Sequence, residues 1–191
     1  MEFVQPADSA ARLSVRTAVR ASRPSPLEEE VTRLFDELRA PVLRYLMTLG
    51  VAAPDADELV QDVFLALFQH LRRGKSRSNL RGWVFRVAHN LALKRRRARS
   101  GPEAALASAD SDAAGRLDPS PSPEEQAVHR QRQTRLLAVV RALPEQDRWC
   151  LHLRAEGLRY REIGKVLGIS LGAVSLSLQR SLARLARADG C

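Results

Sequence analysis

The stretch Tyr160-Arg161-Glu162-Ile163-Gly164-Lys165-Val166-Leu167-Gly168-Ile169-Ser170-Leu171-Gly172-Ala173-Val174 decides how this chain folds. It reads as a short helix stopped at Gly168, a tight turn, and a second helix capped by Ser170, which is the helix-turn-helix arrangement. Gly164 lets the second helix approach closely, Gly168 takes the left-handed turn conformation, and Ile163, Val174 and Leu178 lock the crossing. An ordinary helical hairpin also uses a glycine turn. The spacing, the serine cap and the basic surroundings together favour the DNA-binding form.

On a helical projection Val174, Leu178, Leu182 and Leu185 form the packed stripe of the second helix, with Ala173, Leu176, Ser177, Arg180, Arg184 and Arg187 opposite. The expected groove-facing set is therefore Ser170, Ala173, Ser175, Leu176, Ser177, Arg180 and Arg184. Arg180 is the long cation near its middle, suited to a guanine edge or a phosphate. Ser175 and Ser177 can hydrogen-bond either, and Leu176 can touch a thymine methyl.

Working outward, the block holding this motif runs from about Glu124 to Arg187. Leu136, Val139, Val140 and Leu143 form the stripe of its first helix, Pro144 restarts the chain, and Gly157 closes the next helix. Residues 100–126 are rich in Ser, Ala and Pro, and their acids outnumber the single Arg116, so a flexible acidic linker is expected over 100–123.

A second helical block is expected over 26–99. Ser25-Pro26-Leu27-Glu28 reads as an N-cap, a proline at the first helical position and a capping-box glutamate. Pro41 must kink or break that helix and Gly50 ends it. Asp55 with Glu58 repeats the capping-box pattern, opening a helix with a wide apolar face and an acidic one made of Asp57, Glu58, Gln61 and Asp62. Asn79 can cap a third helix with Leu80, Trp83, Val84, Val87 and Leu91 as its apolar positions. From Arg72 to Arg99 the charged residues are all basic, and Arg86, His89, Asn90 and Arg97 project to one side with Trp83 at its border with the core. Cations interleaved with an aromatic and an amide suit a melted strand, because phosphates bind the cations while an unstacked base is held by the ring face or amide edge.

Composition agrees with that reading. The 191 residues carry 31 Lys plus Arg against 22 Asp plus Glu, a net charge of +9, as expected of a chain that meets a polyanion. Five Phe, two Trp and two Tyr among many Leu, Ala and Arg favour an aliphatic, all-helical core. No apolar window is long enough for a membrane span. Cys150 and Cys191 form no metal or disulfide framework, and His70, His89, His129 and His152 are scattered, so neither a cofactor nor a metal is expected. Asp57, Glu58 and Asp62 could suggest a magnesium-dependent nuclease, but they are readily solvated and lack a partnering site. Arg12, Arg16, Arg20 and Arg23 loosely resemble a transit peptide; Glu2 and Asp8 interrupt it, and a flexible tail is expected over 1–25, with another over 188–191.

The two blocks together resemble a group 4, extracytoplasmic-function type sigma factor of bacterial RNA polymerase. Asp55 to Phe64 is similar to the family's region 2.2, Asn79 to Asn90 to region 2.3 passing into 2.4, and Leu143 to Arg148 with Glu156 to Ile163 to region 4. The resemblance implies a non-enzymatic, cytoplasmic bacterial protein of two small helical domains. It implies that Asp57, Glu58, Gln61 and Asp62 dock on the clamp coiled coil of the polymerase largest subunit. The same resemblance gives Arg77, Asn79, Arg81, Trp83, Arg86, His89, Asn90, Lys94, Arg96 and Arg97 to the minus-ten strand of promoter DNA, and region 4 to the minus-thirty-five duplex. An anti-sigma partner is expected. The chain departs from the family in Lys94, where many relatives have Asp, and in Ala173, Ser175 and Ser177, where they often carry Thr, Lys and Arg; phosphate contacts then carry more of region 4 placement. The competing reading is a regulator that binds duplex DNA without polymerase; it leaves the acidic helix face without a use.

Overall fold

A computed structural model describes residues 24–99 and 123–190. Among these residues the backbone forms seven α-helices and no strand: α1 (Pro26–Thr48), α2 (Ala53–Arg72), α3 (Leu80–Arg99), α4 (Pro123–Arg141), α5 (Glu145–Ala155), α6 (Tyr160–Leu167) and α7 (Leu171–Asp189). The expected all-helical class is what the chain adopts. The expected linker and N-terminal tail lie outside the described residues except at their edges, as does Cys191.

Local chemistry sets the helix ends. The Ser25 hydroxyl accepts from the Glu28 N–H at 3.3 Å, and the Glu28 carboxylate accepts from the Ser25 N–H at 2.7 Å, a complete capping box. α1 then continues through Pro41 rather than breaking there. One missing donor is tolerated because Leu38, Val42 and Tyr45 are fully buried on either side and hold the helix to its neighbours. α2 begins earlier than the expected Asp55 cap: Ala52 is its N-cap and Pro54 lies in its first turn, so Asp55 becomes a first-turn carboxylate favoured by the helix dipole. Asn79 caps α3 as expected, its Oδ1 accepting from the Gly82 N–H at 3.1 Å.

α1, α2 and α3 enclose Tyr45, Leu46, Leu49, Leu67, Val84, Phe85 and Ala88, all at most 1 % exposed. The second block buries Cys150, Leu153, Leu158, Ile163, Val174 and Leu178, and the two sets join in one contiguous hydrophobic cluster because α1 and α3 pack on α5 and α6. α6 and α7 meet at 105°, within the range of a helix-turn-helix. Gly168 sits at φ +68° in the turn, and a Cβ on Gly164 would lie 2.9 Å from the Ile169 carbonyl oxygen, so both need glycine.

α7 is rotated from the expected register. Val174, Ser177, Leu178 and Ser181 face inward, while Leu182 is 55 % exposed. The serines turn inward because each finds an acceptor: Ser177 Oγ donates to the buried Asp147 carboxylate of α5, and Ser181 Oγ donates to the Ser177 carbonyl at 2.9 Å.

Candidate nucleic-acid interface

The basic surface is built on α3 and the loop before it. Arg77, Asn79, Arg86, Asn90, Lys94 and Arg97 are exposed there, and Arg86, Lys94 and Arg97 carry no ion pair among the described residues. Trp83 is half-buried, packed on the core with its ring centroid 4.6 Å from that of His70. Five other cations are matched by acids from elsewhere in the chain. Arg77 pairs with Glu30, Arg81 with Glu37, Arg95 with Glu58, Arg96 with Glu145 and Arg99 with Asp55. The field over α3 is therefore concentrated on its outer face rather than spread along its length.

His89 does not belong to that face. It is 4 % exposed, its Nδ1 shares a 2.9 Å hydrogen bond with the Tyr45 hydroxyl, and its ring meets Trp149 of α5 edge-on. Burial, and then the charge of Arg96, hold its pKa below the usual histidine range, so the imidazole is a neutral core group rather than a phosphate ligand. The helical projection misplaced it because the partner that covers it comes from a distant part of the chain.

The acidic face of α2 is exposed at Asp57, Glu58, Gln61 and Asp62. Asp57 meets Arg39 at 3.3 Å and Glu58 meets Arg95 at 2.8 Å, surface pairs that exchange readily with solvent or a competing cation. Leu65, which sequence reasoning missed, stands on the same face at 57 % exposure. Its signal was the Glu58, Gln61, Asp62, Leu65 spacing, which places one large apolar side chain on a polar stripe.

On α7 the outward side chains near the turn are Leu171, Ser175, Leu176, Gln179 and Arg180, with Ala173 half-buried and Arg184 further along. Ser170 is occupied as the N-cap, accepting from the Ala173 N–H at 3.2 Å. Ser177 is fully buried, so it cannot face a groove. Gln179, overlooked in the sequence, takes a place on the outward face, and a glutamine amide there can serve an adenine edge.

The α1 and α3 face of the first block meets α5 at a polar seam. Arg44 bonds Glu156 at 2.8 Å, Arg81 Nε donates to the Glu156 carbonyl at 3.1 Å, and Thr48 Oγ1 lies 3.2 Å from His152 Nδ1. Arg96 pairs with Glu145 at 3.0 Å and lies over the Trp149 ring. Two of the cations expected on the strand-binding face thus touch the second block.

An acidic helix, a basic helix and a helix-turn-helix at 105°, in this order along the chain, match two known sequence families. The description Sigma-70 region 2 fits residues 34–101, and Sigma-70, region 4 fits residues 133–185. The chain belongs to the sigma-70 family. Its curated relatives place this sigma factor in the extracytoplasmic-function group. It is 31 % identical over 188 residues to the ECF RNA polymerase sigma factor SigE of Mycolicibacterium smegmatis, covering 96 % of this chain and 70 % of that one. It is 34 % identical over 143 residues to the probable RNA polymerase sigma factor RfaY of Xanthomonas campestris, covering 72 % of this chain and only 34 % of the relative's length. The solved sigma factor RpoE in complex with the anti-sigma factor NepR from Bartonella quintana shares the fold, with a TM-score of 0.60, 19 % identity, and coverage of 84 % of this chain and 96 % of that one. Sigma factors are non-catalytic initiation subunits, and this one directs RNA polymerase to promoters. No group of metal-ligating side chains is assembled among the described residues of the sigma factor, and no single helix among them is long and apolar enough to cross a membrane.

Proposed function

We propose that the sigma factor divides its work between the two faces of its first block and the outer face of α7. The exposed acids Asp57, Glu58 and Asp62, with Gln61 and Leu65, dock on the basic clamp coiled coil of the polymerase largest subunit. Opposite charge guides that encounter, and the exposed leucine supplies apolar area that charge alone lacks. The cations Arg86, Lys94 and Arg97, without an ion pair among the described residues, hold the non-template strand of the minus-ten element together with Asn79 and Asn90. Arg77, Arg81 and Arg96 join them once their present carboxylate partners let go. The outer face of α7 lies in the major groove of the minus-thirty-five duplex.

The observation that carries this reading is a pair of exposed surfaces of opposite sign on one bundle: the acids of α2, and on α3 the cations Arg86, Lys94 and Arg97, which have no acid partner among the described residues. A protein that only bound duplex DNA would have no use for the first. Work at a promoter places the protein in the bacterial cytoplasm and requires no chemistry of its own. The relative solved with its anti-sigma factor also supports an anti-sigma partner for this chain, acting where the two blocks meet.

Site-directed crosslinking tests the assignment. With a photoreactive residue at Asp62, core polymerase should yield a product with its largest subunit, and at Arg97 an open promoter complex should yield a product with the non-template strand. Exchange of the two targets, or labelling of neither, would refute it.

A further inference from the structure

Asp147 is 1 % exposed, in the seam between α5 and α7. Its Oδ1 accepts from Ser177 Oγ and, at 2.9 Å, from Nη2 of Arg180; its Oδ2 is buried without a hydrogen-bond partner. The Arg180 side chain is half exposed. One end of the guanidinium fork is therefore fixed against the back of the helix while other donors remain open to solvent.

Fold stability alone does not call for this arrangement. Replacing a buried ion pair by apolar groups of similar volume is often neutral or stabilising, and a buried carboxylate with a free oxygen is an expensive way to fill space. The pair does restrict a side chain that is otherwise long and mobile. An unrestrained arginine on a helix surface serves any nearby phosphate. One whose fork is preset loses less freedom when it forms two parallel bonds to a base edge. Guanine offers the matching pair of acceptors, O6 and N7, in the major groove. Ala173, Ser175, Leu176 and Gln179 bring no cation to α7, so Arg180 is the first arginine on the outward face of that helix, one turn before Arg184.

We propose that Asp147 is a positioning residue: by anchoring Arg180 it makes that side chain the reader of a guanine in the minus-thirty-five duplex. The proposal rests on α7 being the groove-facing helix.

The test uses the full chain assembled with core polymerase and a promoter library randomised across the minus-thirty-five element, with bound DNA sequenced. Arg180→Ala should flatten the guanine preference at one position by about 5- to 150-fold, the range of one bidentate base contact. Asp147→Asn should lower the preference at that same position by at least about threefold, and should add nothing in the Arg180→Ala background, as expected of coupled residues. A guanine preference left intact in Asp147→Asn, with only thermal stability reduced, would show a purely structural carboxylate and overturn the proposal. If Ser175→Ala and Gln179→Ala alter base preferences while Arg180→Ala does not, the proposal fails and the groove-facing reading of α7 stands. If no α7 variant alters any preference, that reading fails as well. Should Asp147→Asn not fold, relaxation of the Arg180 guanidinium in the wild-type protein decides: hindered rotation supports the anchor, and free rotation contradicts it.

Discussion

Arg81 on α3 donates from its Nε to the backbone carbonyl of Glu156, 3.1 Å away at the end of α5. The Glu156 side chain simultaneously accepts from Arg44, and Arg96 reaches Glu145 of the same helix. The face proposed to bind the strand is thus partly held by the second block, and on that proposal the two must part there before Arg81 and Arg96 can hold DNA. In Glu156→Gln the Arg44 ion pair is lost from a site only 12 % exposed, a change of about 1 kcal/mol or somewhat more. The free variant should bind a single-stranded minus-ten oligonucleotide about fivefold more tightly, with a longer distance between fluorophores on α2 and α4. Equal affinity and distance would mean that the seam does not restrain the chain.

The same seam has a pH dependence of fixed sign. His89 is held below the usual histidine range by burial and by Arg96; His152 is held there by burial, with Glu156 opposing and Arg44 assisting. Groups whose folded pKa is depressed release stability when they must take a proton. Packing of the two blocks is therefore fully supported above about pH 6.5, the ordinary histidine value, and weakens as pH falls below it. Scattering profiles between pH 7.5 and 5.5 should show expansion at the acid end. His152→Gln should reduce the response, and an unchanged profile would rule this seam out as the acid-sensitive element.

The proposed docking face is made of side chains that contribute little to the fold. Asp62→Lys and Leu65→Ala alter exposed positions on α2, so each should leave thermal stability within about 0.5 kcal/mol of wild type. Each should nevertheless weaken core binding about tenfold or more, as expected for an interface centre. Wild-type affinity in both would move the docking surface elsewhere.

Arg86 and Arg97 are expected to act through phosphates. Alanine at either should weaken promoter complexes for all sequences alike and lower the salt slope by about one. A sequence-selective effect with an unchanged slope would instead make that residue a base reader.

Backbone geometry gives a prediction about folding alone. Gly164→Ala places a Cβ 2.9 Å from the Ile169 carbonyl, so the α6–α7 crossing must open. Calorimetry should register a loss of about 1–3 kcal/mol, as for other overpacked sites.

Much of this was legible in the sequence because helix ends are written locally. Ser25 with Glu28, Asn79, Gly168 and Ser170 each act within a few residues of themselves, and each does what its type predicts. What escaped depends on partners far along the chain. His89 looked like a surface ligand until Tyr45 and Trp149 covered it. Ser177 looked like a groove contact until Asp147, thirty residues earlier, supplied an acceptor that draws it inward, turning Leu182 out. The cations of α3 carry no mark of the acids on α1, α2 and α5 that match Arg81, Arg95, Arg96 and Arg99. Pro41 reads as a helix breaker only when the burial of Leu38 and Tyr45 is not yet known.

The most direct measurement is run-off transcription by core polymerase supplied with the purified chain, on a mixture of promoter fragments. The account predicts a discrete set of transcripts that appears only when the chain is added and disappears when Asp57 and Asp62 are both changed to Lys. Transcripts that persist in that double variant, or none from the wild-type chain at low ionic strength despite tight duplex binding, would contradict it.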